Sequence, residues 1–243
     1  MTRRNLSKIA VLVIGLQSIA CASFEPGMQY QDLLRPRQPT VKEQQAGLEV
    51  SIEEFATPTK SQQAFDADLA PHGILALLLK VENGGTQNYR VHADAVSVYL
   101  GDQLLPSISG QKAAGEGATS EYAGKALGWT VLTGPFAILL WPATIAGSAS
   151  HTAAVNRRIE QHFESMRFND ALLKPNQSAA GFVYFKLPSG TSKLEKLRVE
   201  VAPVEESSGN KMIFALSIPT IHISSSSTSP ATSPETKSTG PVN

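Results

Sequence analysis

Gly73-Ile-Leu-Ala-Leu-Leu-Leu-Lys-Val81 is an almost continuous apolar run, and Asn83-Gly-Gly85, a strong turn signal, follows it. A strand with one face in water alternates apolar and polar residues, whereas this run offers apolar side chains to both of its faces. The run therefore predicts a strand that lies in the centre of its sheet and is buried on both sides.

Further strands are predicted before and after this run. Several segments alternate between apolar and polar residues with the period of two that a half-buried strand requires. Their apolar residues are Leu48, Val50 and Ile52; Val96, Val98 and Leu100; and Leu197, Val199 and Val201. Residues 181–187 are rich in the aromatic and β-branched side chains that strands prefer, and residues 212–218 supply another candidate.

The connections between these segments indicate the fold class. Most contain Gly, Pro or Asn turns and no helix-sized pattern, which argues against a parallel α/β sheet. About seven short strands of this kind are typical of an immunoglobulin-like antiparallel β-sandwich. We therefore predict a mainly β domain over residues 46–222, with one α-helical insertion.

The insertion, residues 111–173, contains the most unusual stretch of the chain. Residues 126–156 carry no formally charged side chain, a length that suits a transmembrane helix. Pro135 and Pro142 would each interrupt such a helix, and a single span would separate strands that belong to one sandwich. We therefore predict an apolar helical hairpin over residues 126–150 that returns to the side it left.

An amphipathic helix is predicted behind the hairpin, because apolar residues recur there at helical spacing between charged ones. These apolar residues are Val155, Ile159, Phe163 and Met166. Within the hairpin, the large side chains are the candidate membrane or partner contacts: Trp129, Phe136, Leu139, Leu140 and Trp141. Burial against the domain, shallow insertion into a membrane and self-association remain open as ways of covering them.

The N-terminus has the layout of an export signal. Arg3, Arg4 and Lys8 precede an apolar run over residues 9–16 that is too short to span a bilayer, and Ala20 and Cys21 follow. Cys21 is the only cysteine in the chain. This arrangement resembles a bacterial lipoprotein signal, in which a small residue precedes a cysteine that is lipidated and becomes the mature N-terminus.

The resemblance implies a signal peptide over residues 1–20, acyl chains on Cys21 and attachment to an envelope membrane. Ala22 and Ser23 follow the cysteine without an Asp, which by resemblance favours the outer membrane, facing the periplasm or the cell surface. The simpler alternative is a secretory signal that is cut nearby, with an incidental Cys21. Both general and twin-arginine export fit the paired arginines.

Composition predicts two peripheral segments. Residues 21–45 are rich in Gln, Pro and charged residues, which predicts a flexible tether between lipid and domain. Residues 223–243 contain 15 Ser, Thr, Pro and Gly among 21 residues, so they predict a disordered tail.

The charge balance and the scattered polar residues point away from catalysis and nucleic acid. The chain has 21 basic and 21 acidic residues, which gives no basic surface for phosphates. One cysteine and five widely spaced histidines do not suggest a metal centre, and no motif for a nucleophile or a phosphate loop is present. Glu53-Glu54 is interpreted as a solvated pair rather than an acid–base dyad.

These observations predict a non-enzymatic envelope lipoprotein without a cofactor. Its partners would be the membrane, through acylated Cys21, and an envelope protein or a second copy. The alternative is a periplasmic module that binds a lipid or small molecule in a cavity lined by the hairpin.

Overall fold

The computed structural model describes residues 24–119 and 141–223, and for residues 141–152 it describes only the helical backbone. Strand is the commonest secondary structure in this part of the chain, so the mainly β prediction is confirmed. The strands are β1 (Val41–Gln45), β2 (Leu48–Glu54), β3 (Ile74–Asn83), β4 (Tyr89–Val91), β5 (Val96–Leu100), β6 (Gln103–Leu104), β7 (Ser107–Ile108), β8 (Ala171–Leu173), β9 (Gln177–Lys186), β10 (Lys193–Leu194), β11 (Leu197–Val201), β12 (Val204–Glu205), β13 (Phe214–Ile218) and β14 (Ile221–His222).

Three α-helices accompany the strands in the described residues. They are α1 (Pro58–Phe65), α2 (Gly110–Ala113) and α3 (Trp141–Ser165). A π-helical turn, Ala114–Ala118, continues α2, and short 3₁₀ turns lie at Tyr30–Asp32, Ala70–His72 and Ala93–Ala95. The Ser109 hydroxyl caps α2 by accepting a hydrogen bond from the amide of Lys112 at 3.2 Å.

The central sheet has five antiparallel strands in the order β1-β2-β3-β9-β7. The predicted central strand is β3, which pairs with β2 on one side and with β9 on the other. Residues 74–79 of β3 are all buried, because both faces of the sheet are covered at this point. The prediction from the apolar run is therefore confirmed.

A second antiparallel sheet, here called the outer sheet, has the order β13-β11-β5-β6. Its alternating apolar residues share one buried cluster with one face of the central sheet. Members of this cluster include Leu77 and Leu79 of β3, Val98 of β5, Val199 of β11 and Leu216 of β13. Two smaller sheets have the orders β12-β4-β8 and β10-β14.

Helices cover the other face of the central sheet, and we call this covering the helical layer. Leu78 of β3 and Phe182 of β9 point into a second buried cluster with Phe65 of α1. Ile159, Phe163 and Met166, from the predicted amphipathic helix and its C-terminal end, are fully buried in the same cluster. The sheet needs no polar face because this layer replaces solvent, which explains the uninterrupted apolar run of β3.

The prediction of a flexible tether is wrong for residues 24–45, which the structure describes as packed chain and strand. We call residues 24–40 the N-terminal strap, because they lie across the helical layer with Met28 and Leu33 each only 1% exposed. Beyond the strap, β1 forms an edge strand that pairs with β2 from Val41 opposite Ile52 to Gln45 opposite Leu48. Main-chain pairing and two buried side chains are enough to order a segment whose composition is polar.

The limits of the insertion and the tail also differ in detail. Helix α3 ends at Ser165, and the last predicted residues of the insertion form β8, which pairs with β4. At the C-terminal end, Ile223 is 8% exposed and its amide donates to the Ser192 carbonyl at 3.0 Å, so this residue belongs to the domain. Residues 224–243 and the signal, residues 1–20, lie outside the described residues.

Candidate functional site

Most of the predicted contact residues lie outside the described part of the chain. These are the lipid attachment residue Cys21 and the hairpin residues Trp129, Phe136, Leu139 and Leu140. Trp141 is placed by its backbone at the start of α3. The structure does describe the residues to which these two segments are attached, and those residues define the candidate site.

The first attachment point is Phe24, three residues after Cys21. The Phe24 ring meets the ring of His162 on α3 edge to face, with centroids 5.4 Å apart. The amide of Glu25 donates to Asp66 Oδ2 at 2.9 Å, just beyond the end of α1. The strap is therefore packed on the helical layer from its first described residue.

His162 is the polar residue beneath this contact. It is 9% exposed, and its Nε2 lies 2.8 Å from the Ala64 carbonyl oxygen. Because a carbonyl only accepts, Nε2 carries the proton in this arrangement. Burial lowers the pKa of His162, while the hydrogen bond to Ala64 acts in the opposite direction to a smaller extent. The neutral imidazole is therefore the form that fits this site.

The second attachment point is the pair of segments that flank the apolar run. A Cβ placed on Gly110 would lie 3.0 Å from the Phe163 carbonyl oxygen and 2.8 Å from Glu164 Oε2, so α2 starts directly against the end of α3. Ala113, Ala114 and Ala118 are fully buried in the same cluster as α3. The two segments therefore lie side by side on the helical layer.

Polar contacts fix both segments to β9. The Tyr184 hydroxyl, which is buried, donates to the Phe163 carbonyl of α3 at 3.2 Å, and burial raises the pKa of Tyr184 well above its usual value. Lys186 Nζ donates to Glu116 Oε2 at 2.6 Å, and this hydrogen bond lowers the pKa of Glu116 in the π-helical turn. One strand thus holds the chain on both sides of the apolar run.

Strand pairing places the segments before and after the apolar run in one sheet. Ser107 and Ile108 of β7, before the run, pair with Phe185 and Tyr184 of β9, after it. A segment that crossed a membrane once could not have both of these strands in one sheet. Among the described helices, none combines the length and the hydropathy that a membrane span requires.

A second polar feature lies where the strap meets β2. Glu53 and Glu54 are 8% and 6% exposed, so the interpretation as a solvated pair is wrong. Arg37 of the strap binds Glu53 through two hydrogen bonds, Nε to Oε2 at 2.6 Å and Nη2 to Oε1 at 3.1 Å. These bonds raise the pKa of Arg37. Lys60 of α1 donates to Glu54 Oε1 at 2.8 Å.

The ring of Phe55 packs against this ionic cluster. The guanidinium carbon of Arg37 lies 5.6 Å and Lys60 Nζ lies 6.0 Å from the centroid of Phe55. Each carboxylate is thus paired with a cation from another element: Glu53 with Arg37 of the strap, and Glu54 with Lys60 of α1. The arrangement is that of a structural clamp between the strap and the central sheet.

Two open grooves of about 280 and 550 Å³ adjoin the clamp and share Arg37, Pro39 and Glu53 in their walls. The charged side chains of the smaller groove are matched in pairs. One pair is Arg37 with Glu53, described above. The others are Arg35 with Asp32 at 2.8 Å, Lys42 with Glu49 at 3.2 Å and Lys80 with Glu82 at 3.1 Å. Each charged side chain in the wall of the smaller groove therefore already has a partner of opposite sign within the protein.

Sequence reasoning did not find the strap, the clamp or the contact between Phe24 and His162. A signal for the clamp was present, since Glu53-Glu54 lies between Ile52 and Phe55 at the end of a strand with apolar neighbours. In the described residues, no three His, Cys, Asp or Glu side chains are close enough to hold a metal ion together.

Comparisons with known proteins do not assign a family. No protein-family model matches the chain. No curated protein matches its sequence.

Among solved structures, a candidate lipoprotein (ycdA) of Bacillus subtilis is 12% identical with a TM-score of 0.35, over 77% of this chain and 39% of that one. The chain therefore spans about two fifths of that protein. A candidate ApaA protein of Bordetella pertussis is 14% identical with a TM-score of 0.27, over 79% of this chain and 100% of that one. At these scores, neither similarity assigns a function.

Proposed function

We propose that this protein is a non-enzymatic lipoprotein of the bacterial cell envelope that displays its apolar run as a contact element. Acyl chains on Cys21 would attach it to a membrane, because several chains give stable attachment where a single chain is marginal. Removal of residues 1–20 leaves 18 basic and 21 acidic residues, so attraction to anionic lipid contributes little. Ala22 and Ser23, which follow Cys21, favour the outer membrane as the membrane to which the protein is attached.

The observation that carries this proposal is the pairing of β7 with β9. It supports an apolar run that leaves one folded body and returns to it, as a helical hairpin does. The adjacent placement of α2 and α3 supports the same connection. The central and outer sheets, which we propose form an immunoglobulin-like sandwich, would then act as a rigid support for the hairpin.

The ligand-binding alternative receives less support. It requires a cavity lined by the large apolar side chains of the hairpin. The grooves found in the described part of the chain are lined mainly by charged and polar residues of the strap and the central sheet. The described residues also give no observation that favours catalysis.

The contact element is tested by a triple substitution, Phe136→Ser, Leu139→Ser and Leu140→Ser, in the lipidated protein. If the hairpin contacts membrane or protein, each lost side chain removes about 1.5–3 kcal/mol of apolar burial. In the lipidated protein, the yield of cross-linked partners should then fall by at least about tenfold, which corresponds to about 1.4 kcal/mol. In a Cys21→Ser form, which carries no lipid anchor, the residual membrane binding should fall by the same factor.

The matched control removes three apolar side chains that are exposed elsewhere, through Leu104→Ser, Leu172→Ser and Ile213→Ser. This control should retain binding. Equal binding by the parent protein, the hairpin variant and the control would rule out the run as the contact element, provided that circular dichroism shows all three folded.

A further inference from the structure

The position of Phe24 limits how far the folded body can be from a lipidated Cys21. Three residues separate the two positions, and an extended chain covers at most about 3.6 Å per residue. The acylated cysteine would therefore lie within about 11 Å of Phe24. This distance limit rests on the proposed function, in which Cys21 is the membrane anchor.

The strap cannot act as a long flexible linker, because it contacts the folded body at several places along its length. Phe24 packs on His162, Met28 and Leu33 are buried in the helical layer, and Arg37 is clamped to Glu53. Only residues 22 and 23 separate Cys21 from the packed part of the strap. A folded body on so short a connection therefore holds the Phe24 end of its strap close to the membrane surface.

The strap exposes the side chains that such a surface would accept. Tyr30 is 52% exposed and Leu34 is 45% exposed, while the side chain of Arg35 is 71% exposed and paired with Asp32. Tyrosine is favoured at the membrane–water interface, and a basic side chain can reach lipid phosphates while its stem lies along apolar groups. We call Tyr30, Leu34 and Arg35 the strap patch.

Two other exposed apolar residues lie on the opposite side of the molecule. Leu104 belongs to β6 at one edge of the outer sheet, and Ile213 precedes β13 at the other edge; they are 56% and 59% exposed. The central sheet separates the outer sheet from the helical layer and the strap. These two residues therefore provide matched reference positions for the strap patch.

We infer that the strap patch is a membrane-contact surface that seats the folded body directly on the lipid, with the outer sheet facing away. The occupant of this surface is the headgroup region of the membrane that holds the acyl chains. The patch would fix the orientation of the body, and hence the direction in which the outer sheet is presented.

The inference can be tested with the lipidated full chain in vesicles of phosphatidylethanolamine and phosphatidylglycerol. Because Cys21 is the only cysteine and acylation occupies its thiol, an introduced cysteine is the only free thiol. Tyr30→Cys and Leu34→Cys, with Leu104→Cys and Ile213→Cys as controls, are labelled separately with bimane. Nitroxide-bearing lipids then report proximity to the membrane, and vesicle flotation reports attachment.

We expect several-fold stronger quenching at positions 30 and 34 than at positions 104 and 213. Equal quenching at all four positions, or stronger quenching at 104 and 213, in protein that floats with the vesicles would overturn the seated orientation and leave lipid attachment intact. If the processed parent chain does not float, both the proposed function and this inference are wrong.

Discussion

The ring of Phe24 packs against the ring of His162, with centroids 5.4 Å apart and planes at 72°. The two residues are far apart in the sequence, and their contact joins the start of the folded body to α3. Because α3 also contains residues 141–156 of the apolar run, one helix both contacts the start of the strap and continues the apolar run.

Acidic conditions should destabilise the protein through His162. Burial lowers its pKa below the ordinary value of 6.5, so the unfolded chain takes up a proton before the folded one does. This contribution to stability is complete above pH 6.5 and is lost as the pH falls from there through the lowered pKa. Urea unfolding at a series of pH values measures the effect.

His162→Gln is the control, because glutamine retains an amide donor for the Ala64 carbonyl but does not titrate. Its free energy of unfolding should change less between neutral and mildly acidic pH than that of the parent protein. Identical pH profiles for the two proteins would show that His162 is not the responsible group.

Gly110→Ala should separate α2 from α3. The added Cβ would lie 3.0 Å from the Phe163 carbonyl oxygen, which is backbone and cannot rotate away. Overpacking of this kind costs about 1–3 kcal/mol of unfolding free energy. In contrast, a Cβ on Gly115 meets nothing within 4 Å, so Gly115→Ala should be neutral or slightly stabilising. Equal denaturation midpoints for the two variants would contradict the close approach.

Glu53→Gln should weaken the clamp between the strap and β2. The change removes the charge partner of Arg37 at a site where Glu53 is 8% exposed, and losing a buried charged hydrogen bond costs about 1–3 kcal/mol. Glu49→Gln breaks the more exposed pair with Lys42, so it should cost less than about 1 kcal/mol. Chemical denaturation distinguishes them, and a larger loss in Glu49→Gln would refute this ranking.

Removal of residues 224–243 should leave the melting temperature unchanged, because their composition offers little to bury. A longer truncation that also removes Ile221 and Ile223 should lower it, since β14 pairs with β10 and Ile223 is buried. A fall of several degrees on the shorter truncation would show that the tail packs on the domain.

The sequence was sufficient to predict six of the longer strands and the apolar face of α3; these strands are β2, β3, β5, β9, β11 and β13. Alternation at Leu48, Val50 and Ile52 and the helical spacing of Ile159 and Phe163 are local patterns, and local patterns report burial directly. The continuous run of β3 also predicted its central position, because only a strand covered on both faces can be apolar throughout.

The strap and the clamp could not be predicted in this way, because they depend on long-range partners. The strap looks like a linker in composition, yet Met28 and Leu33 fill places that only the assembled helical layer creates. The apolar neighbours of Glu53 hint at its burial, but its partner Arg37 is 16 residues away and no local pattern identifies it. The lipid attachment at Cys21 and the hairpin over residues 126–150 stay predictions, since they lie wholly or largely outside the described residues.

Mass spectrometry of the mature N-terminus, after purification from membranes, tests the central claim most directly. We expect the mature chain to begin at Cys21 and its N-terminal peptide to carry the added mass of acyl chains. An unmodified Cys21, or cleavage at another residue, would contradict the lipid anchor and with it the proposed function.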